Sequence, residues 1–338
     1  MEFFKYFFCY FVLYFISFTS TYSLVWPTAN QAFSLRQTID CFVQPTSSNN
    51  PLSGTYGLVR WDENGKKFHE GLDLFGLNFD KHGEVTDSIF GILDGTVVHI
   101  NYSENRSSYG RYVVISHTMY GLSFYSLYAH LHSVNESIRL NHPVKEGDCI
   151  GRMGRSAGGY KIPKSNAHLH FEIGFQYMTD FKSWYETKNF KTTNWHNDWN
   201  GMNLLGVDPL GFYSFVQSKK GQNFLNYINS YPVIIEVHIK YFGYPQFLIN
   251  NPAFCQSEFT KNSMISGWKV GFNEQGVPVK WEPLKDTEAD LLQVKKFKII
   301  SVSDSKSNPL FPSLFHFKDG KPIASKRLQI KMGKLFHN

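Results

Sequence analysis

The stretch SNAHLHFEIG, residues 165–174, alternates polar and apolar side chains and places two histidines on either side of one leucine. Successive side chains of a β-strand point to opposite faces of the sheet. The stretch therefore predicts a strand with one polar and one apolar face: His168, His170 and Glu172 on the first, and Leu169, Phe171 and Ile173 on the second. A chain that contains such a strand needs a sheet with a core on one side and a polar site on the other.

Further short apolar runs recur between glycine-bearing turns from about residue 53 to residue 174: GTVVHI, RYVVISH, GLSFYSLYAHL and DCIGRMG. Short strands at this spacing, with few helical patterns, are typical of a β-sandwich or β-barrel. The aromatic content of 17% also favours β-rich structure. We therefore expect a mostly β fold, a compact antiparallel sandwich or barrel, followed by a smaller C-terminal β-containing module.

The chain of 338 residues is long enough for two domains. Changes in composition, and the Gly and Pro residues that mark turns and loops, predict five segments. They are a signal peptide (1–23), an N-terminal lead segment (24–52), the main β domain (53–180), a Trp- and Asn-rich connector or rim (181–212), and a C-terminal module (213–338). The last segment has strand-like runs such as YPVIIEVHIKYFGY but no motif that indicates a chemistry.

The N-terminus reads MEFFKYFFCYFVLYFISF, with Lys5 followed by an apolar run from Tyr6 to Phe18. The run is short for a membrane span, and small polar residues follow it, which indicates a secretory signal removed from the mature protein. An uncleaved N-terminal anchor is the alternative. We expect an exported protein, in a periplasm or at the cell envelope or outside it, with no stable membrane insertion after signal removal.

The chain carries a net charge of +6, with a pI near 8.9. This mild excess is compatible with a polyanionic partner such as a bacterial envelope. There is no dense Lys/Arg block and no recognition-helix pattern, so we expect no nucleic-acid partner.

Two further stretches carry histidines in strand-like contexts. KFHEGLDLFG contains His69 and Asp73, four residues apart, and on a strand these share a face with Gly71, which would leave open space between them. Glycine here argues against the helix of the His-Glu-x-x-His zinc proteases, so Glu70 is not assigned as a general base. In SLYAHLHSV, a strand would place Tyr128 and His130 on one face.

A catalytic zinc site needs three protein ligands and an open position for water, and His and carboxylate side chains are suitable ligands. The candidates from the three stretches are His69, Asp73, His130, His168 and His170. This set has more histidines than three ligands require, which fits ligands together with acid/base residues. A lone strand histidine is usually structural, so the prediction depends on the combination. Glu172 and Tyr128 either support these residues or simply support the fold.

These motifs resemble, in order, those of the lysostaphin/LytM-type zinc metallopeptidases, which are peptidoglycan endopeptidases of the bacterial cell wall: FHEGLDL, DGTVVHI, YGRYVVISH, YAHL, VKEGDCIGRMG and AHLHFEIG. The resemblance covers about residues 56–174. It implies the antiparallel β fold called the duplicated hybrid motif. It also implies that His69, Asp73 and His170 ligate Zn²⁺ and that His130 and His168 are catalytic.

All five positions are filled, unlike in degenerate members of that family, which lost ligands and activate other hydrolases. Two segments depart from the family pattern: the loop GRSAGGYKIPKSNAHLH is longer, and the run LFGLNFDKHGEVTDSIFGILDG is stretched. The resemblance thus implies a secreted zinc metalloendopeptidase that cuts peptide cross-links of peptidoglycan. The alternatives are a non-catalytic regulator of other wall hydrolases, or a bacteriolysin directed at competitors.

Overall fold

The computed structural model describes residues 24–62, 65–218, 222–255, 265–294, 296–303 and 311–337. The predicted signal peptide, residues 1–23, lies outside the described residues. Within the described ranges, no helix combines the length and the apolar character needed to cross a bilayer.

The first part of the chain is built from short strands. They are β1 (Gly57–Asp62), β2 (Gly65–His69), β3 (Leu72–Phe75), β4 (Ser88–Phe90), β5 (Gly95–Asn101), β6 (Tyr112–Met119), β7 (Leu122–Ala129), β8 (Ser133–Val134), β9 (Pro143–Val144), β10 (Cys149–Arg152) and β11 (His168–Gln176). Helix α1 (Phe181–Glu186), strand β12 (Leu204–Val207) and helices α2 (Pro209–Ser218) and α3 (Phe224–Asn229) follow.

A seven-stranded antiparallel sheet organises this part, in the order β12-β11-β7-β6-β5-β9, with β3 also paired to β11. Strand β11 has three neighbours in this sheet: β7 pairs with one edge, while β3 and then β12 share the other edge. β12 belongs to the segment that we expected to be a connector, and it completes the main sheet. A second sheet has the order β4-β10-β8.

The core lies on the apolar face of β11, as the alternation predicted. Leu169, Phe171 and Ile173 are fully buried in the main hydrophobic cluster. The N-terminal lead segment closes part of this core, because Val43 is buried and forms a bridge with Leu74 of β3.

The C-terminal part forms a four-stranded antiparallel sheet in the order β15-β14-β13-β16, and a hairpin, β17-β18. Its elements are β13 (Val233–Lys240), α4 (Gln246–Asn250), β14 (Gly267–Asn273), β15 (Pro278–Pro283), α5 (Asp286–Ala289), β16 (Phe297–Val302), β17 (Phe315–Lys318), β18 (Lys321–Ala324) and α6 (Lys326–Leu335). The prediction of a mostly β, antiparallel fold with an additional C-terminal β sheet is confirmed.

The seven-stranded sheet and the four-stranded C-terminal sheet share one hydrophobic core. The ring of Phe247 from α4 lies 5.9 Å from that of Phe175 in β11 and 6.1 Å from that of Trp281 in β15. All three side chains are fully buried. The C-terminal sheet is therefore packed directly against the strand that carries the histidines.

Helix α6 packs two buried lysines against the chain that follows β11. Lys331 Nζ donates to the hydroxyl of Tyr177 at 2.8 Å, and Lys334 Nζ lies 4.8 Å from the centre of the same ring and donates to the carbonyl of Met202. Burial lowers the pKa of Lys334 to about 8. Among the described residues, no carboxylate forms an ion pair with either lysine, so the ring and the carbonyl groups accommodate them.

Candidate metal centre

Strand β11 presents the polar face that its sequence predicts. His168, His170 and Glu172 are 5%, 6% and 1% exposed, so this face is covered rather than solvated. In the strand register, His170 lies directly opposite Asp73 of β3 on one side and Ala129 of β7 on the other. The sheet therefore brings two of the predicted ligands together by backbone pairing alone.

His69 and Asp73 do not lie on one continuous strand, contrary to the expectation. β2 ends at His69 and β3 begins at Leu72, yet His69 Nε2 is 3.2 Å from Asp73 Oδ1. The expectation of open space at Gly71 was also wrong. A Cβ there would lie 2.6 Å from the carbonyl oxygen of Phe171 and 2.9 Å from Cε1 of His170. Glycine is needed because the His170 ring occupies that space.

Three potential ligand atoms form a compact triangle. His170 Nδ1 is 2.9 Å from Asp73 Oδ1 and 3.1 Å from His69 Nε2, and the third side is the 3.2 Å from His69 Nε2 to Asp73 Oδ1. Ligand atoms bound at about 2.0–2.1 Å to a tetrahedral zinc ion lie about 3.3 Å from one another. The triangle is therefore close to the size that such an ion requires.

The outer hydrogen bonds show that three lone pairs converge here. His69 Nδ1 lies 2.8 Å from the carbonyl oxygen of Thr55, and His170 Nε2 lies 2.9 Å from Oε1 of Glu172, so each of these nitrogens carries a proton and donates it. The neutral rings then turn His69 Nε2 and His170 Nδ1, both acceptors, toward the carboxylate of Asp73. Buried acceptors that point at one another need a positive charge between them. The three residues therefore fit a metal ion.

The pKa of His170 reflects the same arrangement. Burial lowers it, but the carboxylates of Asp73 and Glu172 outweigh burial and raise it to about 9. When no metal ion is bound, a proton on Nδ1 of His170 supplies the positive charge between these acceptors.

Glu172 orients His170 and is itself held by two tyrosines. The hydroxyl of Tyr109 donates to Oε1 at 2.6 Å, and that of Tyr125 donates to Oε2 at 2.8 Å. Sequence analysis named Glu172 but missed both tyrosines, because Tyr109 comes from the loop between β5 and β6 and Tyr125 is far away in sequence. Strand parity could have indicated Tyr125, since it lies opposite Gly174 on β7.

The side chain of His130 points into the site because the backbone turns at this residue, and not because of the alternation of side chains along β7. It follows the last residue of β7 and has a left-handed backbone conformation, with φ of 59°. Its Nδ1 donates to the carbonyl oxygen of Ser156 at 2.8 Å, which leaves Nε2 as the acceptor. Burial, and next the neighbouring His168 and His170, hold the pKa of His130 well below its usual range.

Tyr128 does not share the site face with His130, which corrects the expectation. Its ring packs against Phe171 in the core, and its hydroxyl interacts with Ile92 N and Ser126 Oγ, each at 3.0 Å. The backbone turn at His130 breaks the parity on which the expectation depended. Tyr128 therefore supports the fold.

His168 completes the group. Its Nδ1 donates to the carbonyl oxygen of Asn166 at 2.6 Å, and its Nε2 lies 3.6 Å from Asp73 Oδ1. The rings of His130 and His168 are 4.8 Å apart. Both histidines thus have Nδ1 fixed on a backbone carbonyl and carry an acceptor Nε2 on the other side of the ring.

An open cleft of about 860 Å³ lies over this group. His69, His130 and His170 form part of its lining. The remaining walls come from Phe68 and Glu70, from the loop 106–109, from Tyr160 and from residues 185–202. The segment expected to be a connector or rim therefore contributes to the cleft as well as to the sheet.

The two segments that depart from the family pattern are joined to each other. Glu84, in the stretched run after Asp73, accepts a bidentate pair of hydrogen bonds from Arg155, both at 2.9 Å, and lies 3.1 Å from Lys164 Nζ. Hydrogen bonds from Arg155 and Lys164 lower the pKa of Glu84 to about 2. The pair fixes the long loop that precedes β11.

Comparison with known proteins finds a similar family for the part of the chain that carries these residues. Residues 67–180 match the sequence profile described as Peptidase family M23. The three residues that could hold a metal ion, His69, Asp73 and His170, all lie within the matched range. No curated protein sequence matches the chain.

Several solved structures are similar to it over part of its length. The catalytic domain of the antimicrobial peptidase lysostaphin from Staphylococcus simulans is 18% identical, covering 48% of this chain and 89% of its own, with a TM-score of 0.29. LytU is 27% identical, covering 36% and 70%, with a TM-score of 0.27. A mutant catalytic domain of the prophage-encoded M23 protein EnpA from Enterococcus faecalis is 22% identical, covering 39% and 80%, with a TM-score of 0.28.

Proposed function

We propose that this protein is an exported zinc metalloendopeptidase that hydrolyses peptide cross-links of bacterial peptidoglycan. The observation that supports it most directly is the convergence of three lone pairs, from His69, Asp73 and His170, beside two further histidines in an open cleft. A fold-only role would not require this covered group of acceptors.

The donor set supports zinc as the metal. Two imidazole nitrogens and one carboxylate oxygen are ligands that zinc accepts, and a catalytic site leaves one position open. A zinc ion held by these residues would supply Lewis-acid chemistry, polarising a peptide carbonyl and lowering the pKa of bound water. Glu172 fixes the tautomer of His170, and Thr55 fixes that of His69.

His130 and His168 are the proposed catalytic residues. Each has its Nδ1–H fixed on a backbone carbonyl, so an unprotonated Nε2 can take a proton from an attacking water and, once protonated, give it to the leaving amine. The low pKa of His130, caused by burial and by the neighbouring histidines, favours the unprotonated form that a base requires. A protonated Nε2 would also donate to the developing oxyanion.

The substrate assignment is supported by the family and by the chain's chemistry. Residues 67–180 match the profile of Peptidase family M23, and a peptidase of this family would have a peptidoglycan substrate. A pI near 8.9 suits an anionic wall, and the N-terminal apolar run suits export.

The test uses purified residues 24–338, loaded with zinc, on isolated peptidoglycan with and without a chelator. The His170→Ala variant is treated identically. We expect chelator-sensitive release of fragments, absent in the variant, and mass spectrometry of the fragments then names the bond. No release from several wall types by zinc-loaded protein would refute the enzyme assignment and favour the regulatory alternative.

A further inference from the structure

The connection from β11 to β12 is far longer than its geometry requires. The two strands are antiparallel neighbours, paired from Ile173–Val207 to Gln176–Leu204. Such neighbours are usually joined by about two to five residues, whereas here the chain runs through residues 177–203. Long ordered loops in compact domains are commonly functional. We call residues 177–203 the β11–β12 excursion; most of it lies beyond the family match, which ends at residue 180.

The excursion is a built structure with a small core of its own. Four of its side chains form a separate buried cluster: Met178, Phe181, Trp184 and Tyr185. Asp198 fastens its two ends. The Asp198 carboxylate accepts from Phe181 N at 2.8 Å, and its backbone carbonyl accepts from Gln176 Nε2 and Asn203 Nδ2, each at 2.8 Å.

The excursion forms a wall of the cleft that contains the metal centre. Its residues in the cleft lining are Tyr185, Thr192, Thr193, His196, Asn200, Gly201 and Met202. Gly201 lies against Tyr109, because a Cβ at this position would be 3.2 Å from the Tyr109 hydroxyl oxygen. That hydroxyl binds Glu172, which in turn binds His170. Through Tyr109 and Glu172, this wall of the cleft is therefore in contact with the residues that orient the proposed ligand His170.

The excursion also holds Arg106, on the facing loop, at two points. His196 Nε2 lies 3.1 Å from the carbonyl oxygen of Arg106 and donates to it, while His196 Nδ1 lies 3.4 Å from Nε2 of His99. The guanidinium of Arg106 lies 4.7 Å from the ring centre of Trp195. Backbone and side chain of Arg106 are thus both positioned by neighbouring residues of the excursion.

The guanidinium is placed to receive an anion. Arg106 is exposed and lines the cleft, and no carboxylate among the described residues forms an ion pair with it. A guanidinium stacked on an aromatic ring still presents its N–H edge, whose fork geometry matches a carboxylate. An ordinary solvated arginine would not need its backbone and its side chain to be held in this way.

From these contacts we infer that the β11–β12 excursion and Arg106 form an anion subsite of the cleft, which binds a carboxylate of the peptide substrate and selects anionic peptides. The inference rests on the proposed function, because it assigns a specificity residue to that same cleft. Trp195 and His196 act through Arg106 and are positioning residues.

The test compares native peptidoglycan with the same material after its carboxyl groups have been converted to amides by carbodiimide and ammonia. Co-sedimentation with the zinc-loaded chain measures binding, and fragment release measures turnover. The variants are Arg106→Gln and, as a matched control, Arg139→Gln, since Arg139 is an exposed arginine outside the cleft lining. Trp195→Ala tests the positioning role.

We expect the wild-type chain and Arg139→Gln to bind native material about tenfold more tightly than amidated material, in line with a charged hydrogen-bonded pair. Arg106→Gln should lose this preference, and Trp195→Ala should lose part of it. Equal binding of both materials by the wild type, or an undiminished preference in Arg106→Gln, would overturn the inference. Absent turnover with a preserved Arg106-dependent preference would refute the proposed function alone.

Discussion

Nε2 of His170 lies 2.9 Å from Oε1 of Glu172, two residues further along the same face of β11. The carboxylate thereby decides which nitrogen of His170 is protonated and turns Nδ1 toward His69 and Asp73. One strand supplies both a proposed ligand and the group that orients it.

Replacing Glu172 with Gln should weaken zinc binding by about 10- to 100-fold, because an amide is a weaker acceptor and His170 loses its fixed tautomer. Competition with a chromogenic chelator measures the affinity. Tyr128→Phe is the control, since the Tyr128 hydroxyl faces Ile92 and Ser126 on the core side. Equal zinc affinity in Glu172→Gln and the wild type would contradict the orienting role.

Alanine variants should separate the two proposed roles. His130→Ala and His168→Ala should retain zinc and lose about 100- to 10,000-fold in kcat, whereas His170→Ala should lose zinc as well. Metal content per chain and the rate of wall hydrolysis are measured on the same samples. His132→Ala, an exposed neighbour, should resemble the wild type. Near-normal turnover in His130→Ala would remove that residue from the mechanism.

Gly71→Ala should destabilise the fold by about 1–3 kcal/mol and displace His170, because the new methyl group would overlap Phe171 O and His170 Cε1. Gly333→Ala is the matched control. A Cβ there meets no atom within 4 Å, and Gly333 lies inside α6, so alanine should be neutral or stabilising. Denaturant unfolding and zinc titration together test this prediction. A Gly71→Ala variant with full stability and full zinc affinity would contradict the close contact.

The Glu84–Arg155 pair should contribute stability that acid removes. The folded-state pKa of Glu84 is about 2, below its ordinary value of 4.5, so its contribution is present above about pH 4.5 and is lost as the pH falls through 2. The difference in Tm between the wild type and Glu84→Gln should therefore be constant near neutrality and shrink below pH 4.5. The exposed Glu136, changed to Gln, should show no such difference. A difference that is independent of pH down to 2 would contradict the assignment.

Local patterns predicted those parts of the site that local rules determine. Alternation placed His168, His170 and Glu172 on one face, and the resemblance in motif order implied that His69, Asp73 and His130 lie close to them. Alternation failed at His130 and Tyr128 because a left-handed residue at the strand end reverses parity. Histidine is one of the residues that adopt this conformation more often than most, but the sequence does not mark which histidine will do so.

Other features depend on contacts between residues far apart in the chain. Tyr109 reaches Glu172 across 63 residues, and the short strand β12 joins the main sheet only after the long excursion. The Trp- and Asn-rich composition of that excursion indicates irregular structure, but its position over the cleft depends on tertiary packing. The same holds for Phe247, which joins the C-terminal sheet to the core of β11.

Two lysines of α6 bind the ends of the β11–β12 excursion: Lys331 donates to the hydroxyl of Tyr177, and Lys334 donates to the carbonyl of Met202. The proposed ligands and Glu172 all precede residue 173, whereas Lys331 and Lys334, which brace the ends of the excursion, are added far later. Chains fold progressively as they emerge. The excursion is therefore braced at both ends only after residues 331 and 334 have been made, so its wall of the cleft is completed late in the assembly of the fold.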